Sequence, residues 1–161
     1  MNKFFIAILI CLNYLIVNGQ DEAHWLRYPS ISPDGSTIAF SYHGNLYYAD
    51  ADGGNAVAIT TGDAYDGYPV WSHDGNTIAF ASDRHGNFDV YTIPAKGGTP
   101  IRLTFNSAND YPNDFTIDNK SVLFGSGRDA PAQSVRFPSP RLFKNLYTVP
   151  VQGGRPVLVT A

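Results

Sequence analysis

Three stretches of this 161-residue chain align with one another almost without gaps. Tyr28-Pro29-Ser30-Ile31-Ser32-Pro33-Asp34-Gly35 matches Tyr68-Pro69-Val70-Trp71-Ser72-His73-Asp74-Gly75, and less closely Tyr111-Pro112-Asn113-Asp114-Phe115-Thr116-Ile117-Asp118-Asn119. Each stretch leads into an apolar segment: Ile38-Ala39-Phe40, Ile78-Ala79-Phe80 and Val122-Leu123-Phe124. A second apolar segment follows at Leu46-Tyr47, Val90-Tyr91 and Leu146-Tyr147, then a glycine pair at Gly53-Gly54, Gly97-Gly98 and Gly153-Gly154. Each copy finishes on an apolar residue and a threonine, Ile59-Thr60, Leu103-Thr104 and Val159-Thr160.

A period of roughly 40 to 56 residues holding four short strands is the signature of a propeller blade. Asp34-Gly35 and Asp74-Gly75 supply the positive φ of a tight turn between the first two strands, Asn119 takes that place in the third copy, and the glycine pairs turn the third strand into the fourth. The strand centres are apolar on both faces, as stacking between blades requires. The fold class expected is therefore all-β: a partial β-propeller of three four-stranded antiparallel blades at about 25–64, 65–107 and 108–161, with Ile38, Phe40, Ile78, Phe80, Val122 and Phe124 buried. Three blades cannot close a ring, and the chain stops just after the last strand of the third copy. The expectation is an N-terminal fragment of a longer protein.

The first 19 residues are of another kind. Lys3 precedes an apolar stretch from Phe4 to Val17, and the small residues Val17 and Gly19 stand before Gln20, so 1–19 reads as a signal-peptide helix and 20–161 as the mature propeller region. The apolar run is short for a membrane span, and no stable membrane anchoring is expected after cleavage. An exported location, periplasmic or secreted, follows. Cys11, the only cysteine, lies inside this segment, so disulfides and thiol chemistry are excluded from the mature chain. The net charge of −3 argues against nucleic acid as a partner.

No motif carries catalysis. Gly125-Ser126-Gly127 lacks the full nucleophile elbow, and Ser126 falls at the repeat position of Ser82. Asp50-Ala51-Asp52-Gly53 opens like a calcium loop, but its counterpart in the second copy contains Lys96. His24, His43, His73 and His85 occur singly, and His73 and His85 map to solvated turns. Catalytic residues, metal sites and cofactors are accordingly all expected to be none. The connection after the second strand varies most and is longest after Phe124, where Arg128, Arg136, Arg141 and Lys144 accompany three prolines. Insertions of this kind lie on one face of a propeller and often bind ligands. Arg84, Arg128, Arg136 and Arg141 are the candidate partner-binding residues. Arg84 and Arg128 occupy matching positions, open to two readings: paired cations for a peptide carboxylate, or salt bridges to Asp83 and Asp129.

The second copy, Tyr68-Pro69-x-Trp71-Ser72-x-Asp74-Gly75 continuing to Ile78-Ala79-Phe80, Ser82-Asp83-Arg84, Asp89-Val90-Tyr91 and Gly97-Gly98-x-Pro100-x-Arg102-Leu103-Thr104, resembles the WD40-like PD40 repeat of TolB and of tricorn-type proteases. The likeness runs from Trp25 to Thr160 and is greatest to the N-terminal propeller of exported tricorn-like peptidases of the S41 class, where propellers precede a PDZ module and a serine peptidase domain. The third copy departs from the pattern at Phe115-Thr116-Ile117. The resemblance implies a region that is not itself an enzyme, binding or channelling peptide or protein ligands toward downstream domains of the same chain. A TolB-like protein-binding propeller and the propeller of a prolyl-oligopeptidase-like enzyme are the alternatives it leaves open.

Overall fold

The computed structural model describes residues 25–128 and 145–160. Twelve strands form three separate four-stranded antiparallel sheets, each in sequential order. Blade 1 contains β1 (Arg27–Ile31), β2 (Thr37–Tyr42), β3 (Asn45–Asp50) and β4 (Val57–Ala58). Blade 2 contains β5 (Asp66–Trp71), β6 (Thr77–Ser82), β7 (Asp89–Pro94) and β8 (Ile101–Arg102), and blade 3 contains β9 (Asp110–Phe115), β10 (Ser121–Ser126), β11 (Asn145–Pro150) and β12 (Val157–Thr160). The chain is all-β in its described part, and the three sheets are propeller blades whose first strands, β1, β5 and β9, lie side by side. Residues 1–19, read above as a signal peptide, lie outside the described residues, as does Ala161.

The first turn of each blade is built the same way. Ser32 Oγ donates to Asp34 Oδ1 at 2.6 Å and accepts from Thr37 N at 2.9 Å, while Gly35 takes φ +74°. Ser72, Asp74, Thr77 and Gly75 (φ +71°) repeat the arrangement. Thr116, Asp118, Ser121 and Asn119 (φ +57°) repeat it again, with asparagine tolerating the left-handed backbone that glycine adopts freely.

These turns share one end of the arc with the β3–β4, β7–β8 and β11–β12 connections, as Ala51 N to Ser36 O (2.8 Å) and Ala95 N to Asn76 O (2.9 Å) show. This is the turn face. The opposite end, the hairpin face, gathers the β2–β3 and β6–β7 hairpins and the links between blades: Asp66 N donates to Gly44 O and Asp110 N to Phe88 O, both at 2.7 Å.

Two apolar layers hold the blades together. Ala39, Leu46, Ile59, Trp71, Ile78, Phe80, Tyr91 and Ile93 fill the space between blades 1 and 2. Ala79, Val90, Leu103, Phe115, Val122, Phe124, Tyr147 and Val149 fill that between blades 2 and 3. Alternation along each strand explains the division: Ile78 and Phe80 face blade 1, and Ala79 between them faces blade 3. Ile78, Phe80, Val122 and Phe124 are fully buried as expected. Ile38 and Phe40 are only half-buried, which corrects the expectation for blade 1. Ala39 points into the first layer, so its two neighbours lie on the face of β2 turned away from blade 2.

Candidate binding surface

The hairpin face carries two repeated constructions. In blade 2, Arg84 Nη2 reaches both oxygens of Asp66 at 3.0 and 3.1 Å, and its Nε donates to Ser82 Oγ at 2.9 Å. The guanidinium lies over the rings of Tyr91 (4.7 Å) and Phe80 (5.8 Å). Blade 3 repeats the clamp, with Arg128 bonded to Asp110 and Ser126 and stacked over Phe124 (4.9 Å) and Tyr147 (5.2 Å). Each clamp ties the start of a blade's first strand to the end of its second, with a bidentate or ring-stacked geometry that suits arginine and not lysine. The clamp is more enclosed in blade 3, where the arginine side chain is 10% exposed against 27% for Arg84. Burial pushes the Asp110 carboxyl above its usual range despite the adjacent Arg128. Blade 1 has Leu26, Tyr42 and Gly44 at the three positions and no clamp.

Arg84 and Arg128 thus occupy equivalent places, as their repeat positions implied. Their carboxylate partners are Asp66 and Asp110, and Arg84 does not pair with its sequence neighbour Asp83. Asp83 Oδ1 instead accepts from Tyr65 N at 2.7 Å, and Asp129, Arg136 and Arg141 lie outside the described residues. Ser126 is fully buried, and its hydroxyl accepts from Arg128, which gives it a structural role. His73 and His85 are less free than turn residues in solvent: His73 Nε2 is 3.2 Å from Phe115 O, and His85 Nδ1 is 2.7 Å from the Tyr91 hydroxyl.

The second construction was not foreseen. Tyr28, Tyr68 and Tyr111 stand at equivalent positions on the three innermost strands, and their rings meet in series, Tyr28 stacked on Tyr68 at 3.9 Å and Tyr68 edge-on to Tyr111 at 4.9 Å. Phe88 and Tyr65 continue the chain of rings at 5.4 and 6.1 Å. All five are half-buried, so they form a strip with one face to solvent.

Tyr28 and Tyr68 reach these positions only because a β-bulge after Arg27 and after Gly67 puts them at φ +53° and +57°. A left-handed conformation costs a non-glycine residue about 1–3 kcal/mol, and such strain gathers where side-chain direction matters. Gly67 lies directly under the strip, where an added Cβ would come within 3.1 Å of the Tyr65 ring and 3.4 Å of Tyr28. The Tyr28 hydrogen bond and burial push the Tyr68 phenol well above its ordinary value, and burial raises Tyr111, so these two phenols stay uncharged at physiological pH. At its blade 3 end it borders a hollow of about 420 Å³ lined also by Asn113 and Asn145. The repeated Tyr-Pro pair was the available sequence signal, but ring direction depends on the bulge.

The family model of the tricorn protease N-terminal β-propeller domain matches residues 23–160. The chain belongs to this family. Tricorn protease homolog 1 of Streptomyces coelicolor is 34% identical over 103 residues, a match covering 63% of this chain and 10% of the homolog. Among solved structures, a putative TolB from Agrobacterium tumefaciens superposes with a TM-score of 0.69 at 24% identity, covering 85% of this chain and 46% of that one. The crystal structure of the tricorn protease gives 0.58 at 16% identity, covering 78% and 13%. At these identities the two structures share the fold with this chain. The chain thus spans about a tenth of the length of its Streptomyces relative and under half of the TolB chain. Within this tricorn-type propeller, the strip and both clamps sit at the end of the blades where β10 finishes at Ser126 and β11 begins at Asn145.

Proposed function

We propose that this propeller region binds extended peptide segments along the tyrosine strip and guides them toward a downstream PDZ and serine peptidase domain of an exported tricorn-like protein. The strip carries the reading. Rigid, half-exposed tyrosines offer large contact area at low conformational cost, and their hydroxyls offer hydrogen bonds to a passing backbone. Membership of the tricorn propeller family supports the assignment of the domain. In this reading the clamps of Arg84 and Arg128 brace the hairpin face, and Arg136 and Arg141, in the connection after β10, supply cations to acidic groups of the peptide.

Isothermal titration of the chain with an unstructured, aromatic-bearing peptide tests the proposal. Saturable binding is expected, weakened about tenfold or more by Tyr68→Ala, as for a central interface tyrosine, with the peptide recovered intact. Equal affinity in the Tyr68→Ala variant would remove the strip from the account, and hydrolysis abolished by Ser126→Ala would make the region itself catalytic.

A further inference from the structure

The turn face holds a second feature, independent of the strip. Between the first turns of blades 1 and 2 lies a groove of about 690 Å³, walled by Trp71 and Tyr48 and carrying Asp34, Asp74 and Lys96. The corresponding turns of blades 2 and 3 are clasped shut: His73 N donates to Asn119 Oδ1 at 2.8 Å, and the His73 ring turns inward to Phe115 O. At those two repeat positions the first pair of blades has Pro33 and Gly75. Neither can make the clasp, and only Pro33 Cδ stands near the place a Gly75 side chain would occupy, at 3.8 Å. The opening is therefore specific to this pair of blades.

The lining selects a charge and a shape. Asp34 is held down to about 2 by the Ser32 hydroxyl and then by Ser36, and Asp74 is lowered by Ser72 and Asn76, so both are ionised in neutral solution. Neither carboxylate has an ion-pair partner among the described residues, and neither has Lys96. Two negative charges against one positive leave the groove acidic. Carboxylates from two separate turns do not make the six- to eight-oxygen shell of a hard metal ion, and no group of three or more acidic, histidine or cysteine side chains assembles among the described residues. Aromatic walls beside ionised carboxylates suit an organic cation whose flat or alkyl body stacks while its charge pairs. Tyr48 is half-buried and offers the stacking ring, beside the nearly buried Trp71, whose Nε1 donates to Ser30 O at 3.0 Å. We infer that the groove between the first turns of blades 1 and 2 is a binding site for an arginine side chain of a peptide or protein ligand.

The test uses the whole chain carrying Trp25→Phe, so that Trp71 is the only indole, and follows its fluorescence with the capped tripeptide Gly-Arg-Gly, its citrulline counterpart and Gly-Glu-Gly. The arginine peptide should give a saturable change, with the uncharged citrulline peptide about tenfold weaker and the acidic peptide silent. Asp34→Asn with Asp74→Asn keeps an Oδ1 acceptor for each turn and should cost about tenfold in affinity, whereas Lys96→Ala should strengthen binding about twofold. Pro33→His with Gly75→Asn transplants the clasp of blades 2 and 3, and should abolish binding without lowering the melting temperature. Tyr68→Ala should leave arginine binding unchanged, which separates this site from the strip. Equal binding of the citrulline peptide, or unchanged affinity in the Asp34→Asn, Asp74→Asn variant, would overturn the inference.

Discussion

The two interfaces between blades solve the same packing problem differently. Blades 1 and 2 meet around one large side chain, Trp71, whose ring fills the layer and whose Nε1 crosses to the blade 1 backbone, with Ser41 Oγ to Asp66 O (2.8 Å) as a second polar link. Blades 2 and 3 have Phe115 in place of the indole and add polar fastenings at both ends: the His73–Asn119 clasp, and Phe88 N to Asn109 Oδ1 at 3.1 Å. The first interface has the larger ring at this position and leaves a groove at the turn face, whereas the second has the smaller Phe115 ring and is closed there by the clasp.

That contrast can be broken most sharply at Trp71. Trp71→Ala should cost about 3–5 kcal/mol in denaturant unfolding. Hydrogen exchange should show protection lost first in β1 to β4, while β9 to β11 keep theirs; uniform loss across the three sheets would mean that the interfaces do not differ in this way.

The arginine clamps come next. Arg128→Met strands the fully buried Asp110, and removing one partner of such a pair costs about 3–5 kcal/mol. Arg84→Met should cost clearly less, since solvent reaches that guanidinium. The Arg128→Met penalty should shrink on acidification, because the Asp110 carboxyl, already pushed up by burial, then takes a proton. A penalty independent of pH would show that Asp110 is not ionised beside Arg128.

Asn119→Gly tests the clasp, since it removes the Oδ1 that accepts from His73 N and keeps the left-handed backbone, and should cost only about 1 kcal/mol, with the loss confined to blades 2 and 3. The smallest effect expected is in acid. Asp34 lies at about 2 when folded, below its ordinary 3.8, so its contribution is complete above 3.8 and is lost as pH falls toward 2. Asp74 and Asp118 are shifted the same way by equivalent turn hydroxyls. Asp34→Asn should flatten this part of the pH–stability profile.

Most of the strand order was legible because each turn is written in local chemistry: Asp-Gly, Gly-Gly and the αL-tolerant Asn119 fix where strands end. Features that depend on contacts between blades were harder to read. Arg84 finds Asp66 eighteen positions upstream, and not the adjacent Asp83, because β5 and β6 pair Asp66 with Ser82. Which of Ile38, Ala39 and Phe40 faces the neighbouring blade depends on the side from which that blade packs, and the repeat pattern is silent on it. The tyrosine strip escaped for a third reason: its rings align through left-handed residues at a bulge, which propensity argues against.

In the proposed function, peptide runs along Tyr28, Tyr68 and Tyr111. The most direct measurement is an isotope-filtered NMR experiment on perdeuterated chain with protonated tyrosine rings, titrated with the unstructured peptide. Intermolecular contacts to the ring protons of all three tyrosines, weakened by Gly67→Ala where the new methyl crowds the Tyr65 ring next to Tyr28, are the predicted result. Peptide contacts confined to Tyr48 on the turn face, with none to Tyr28, Tyr68 or Tyr111, would contradict it.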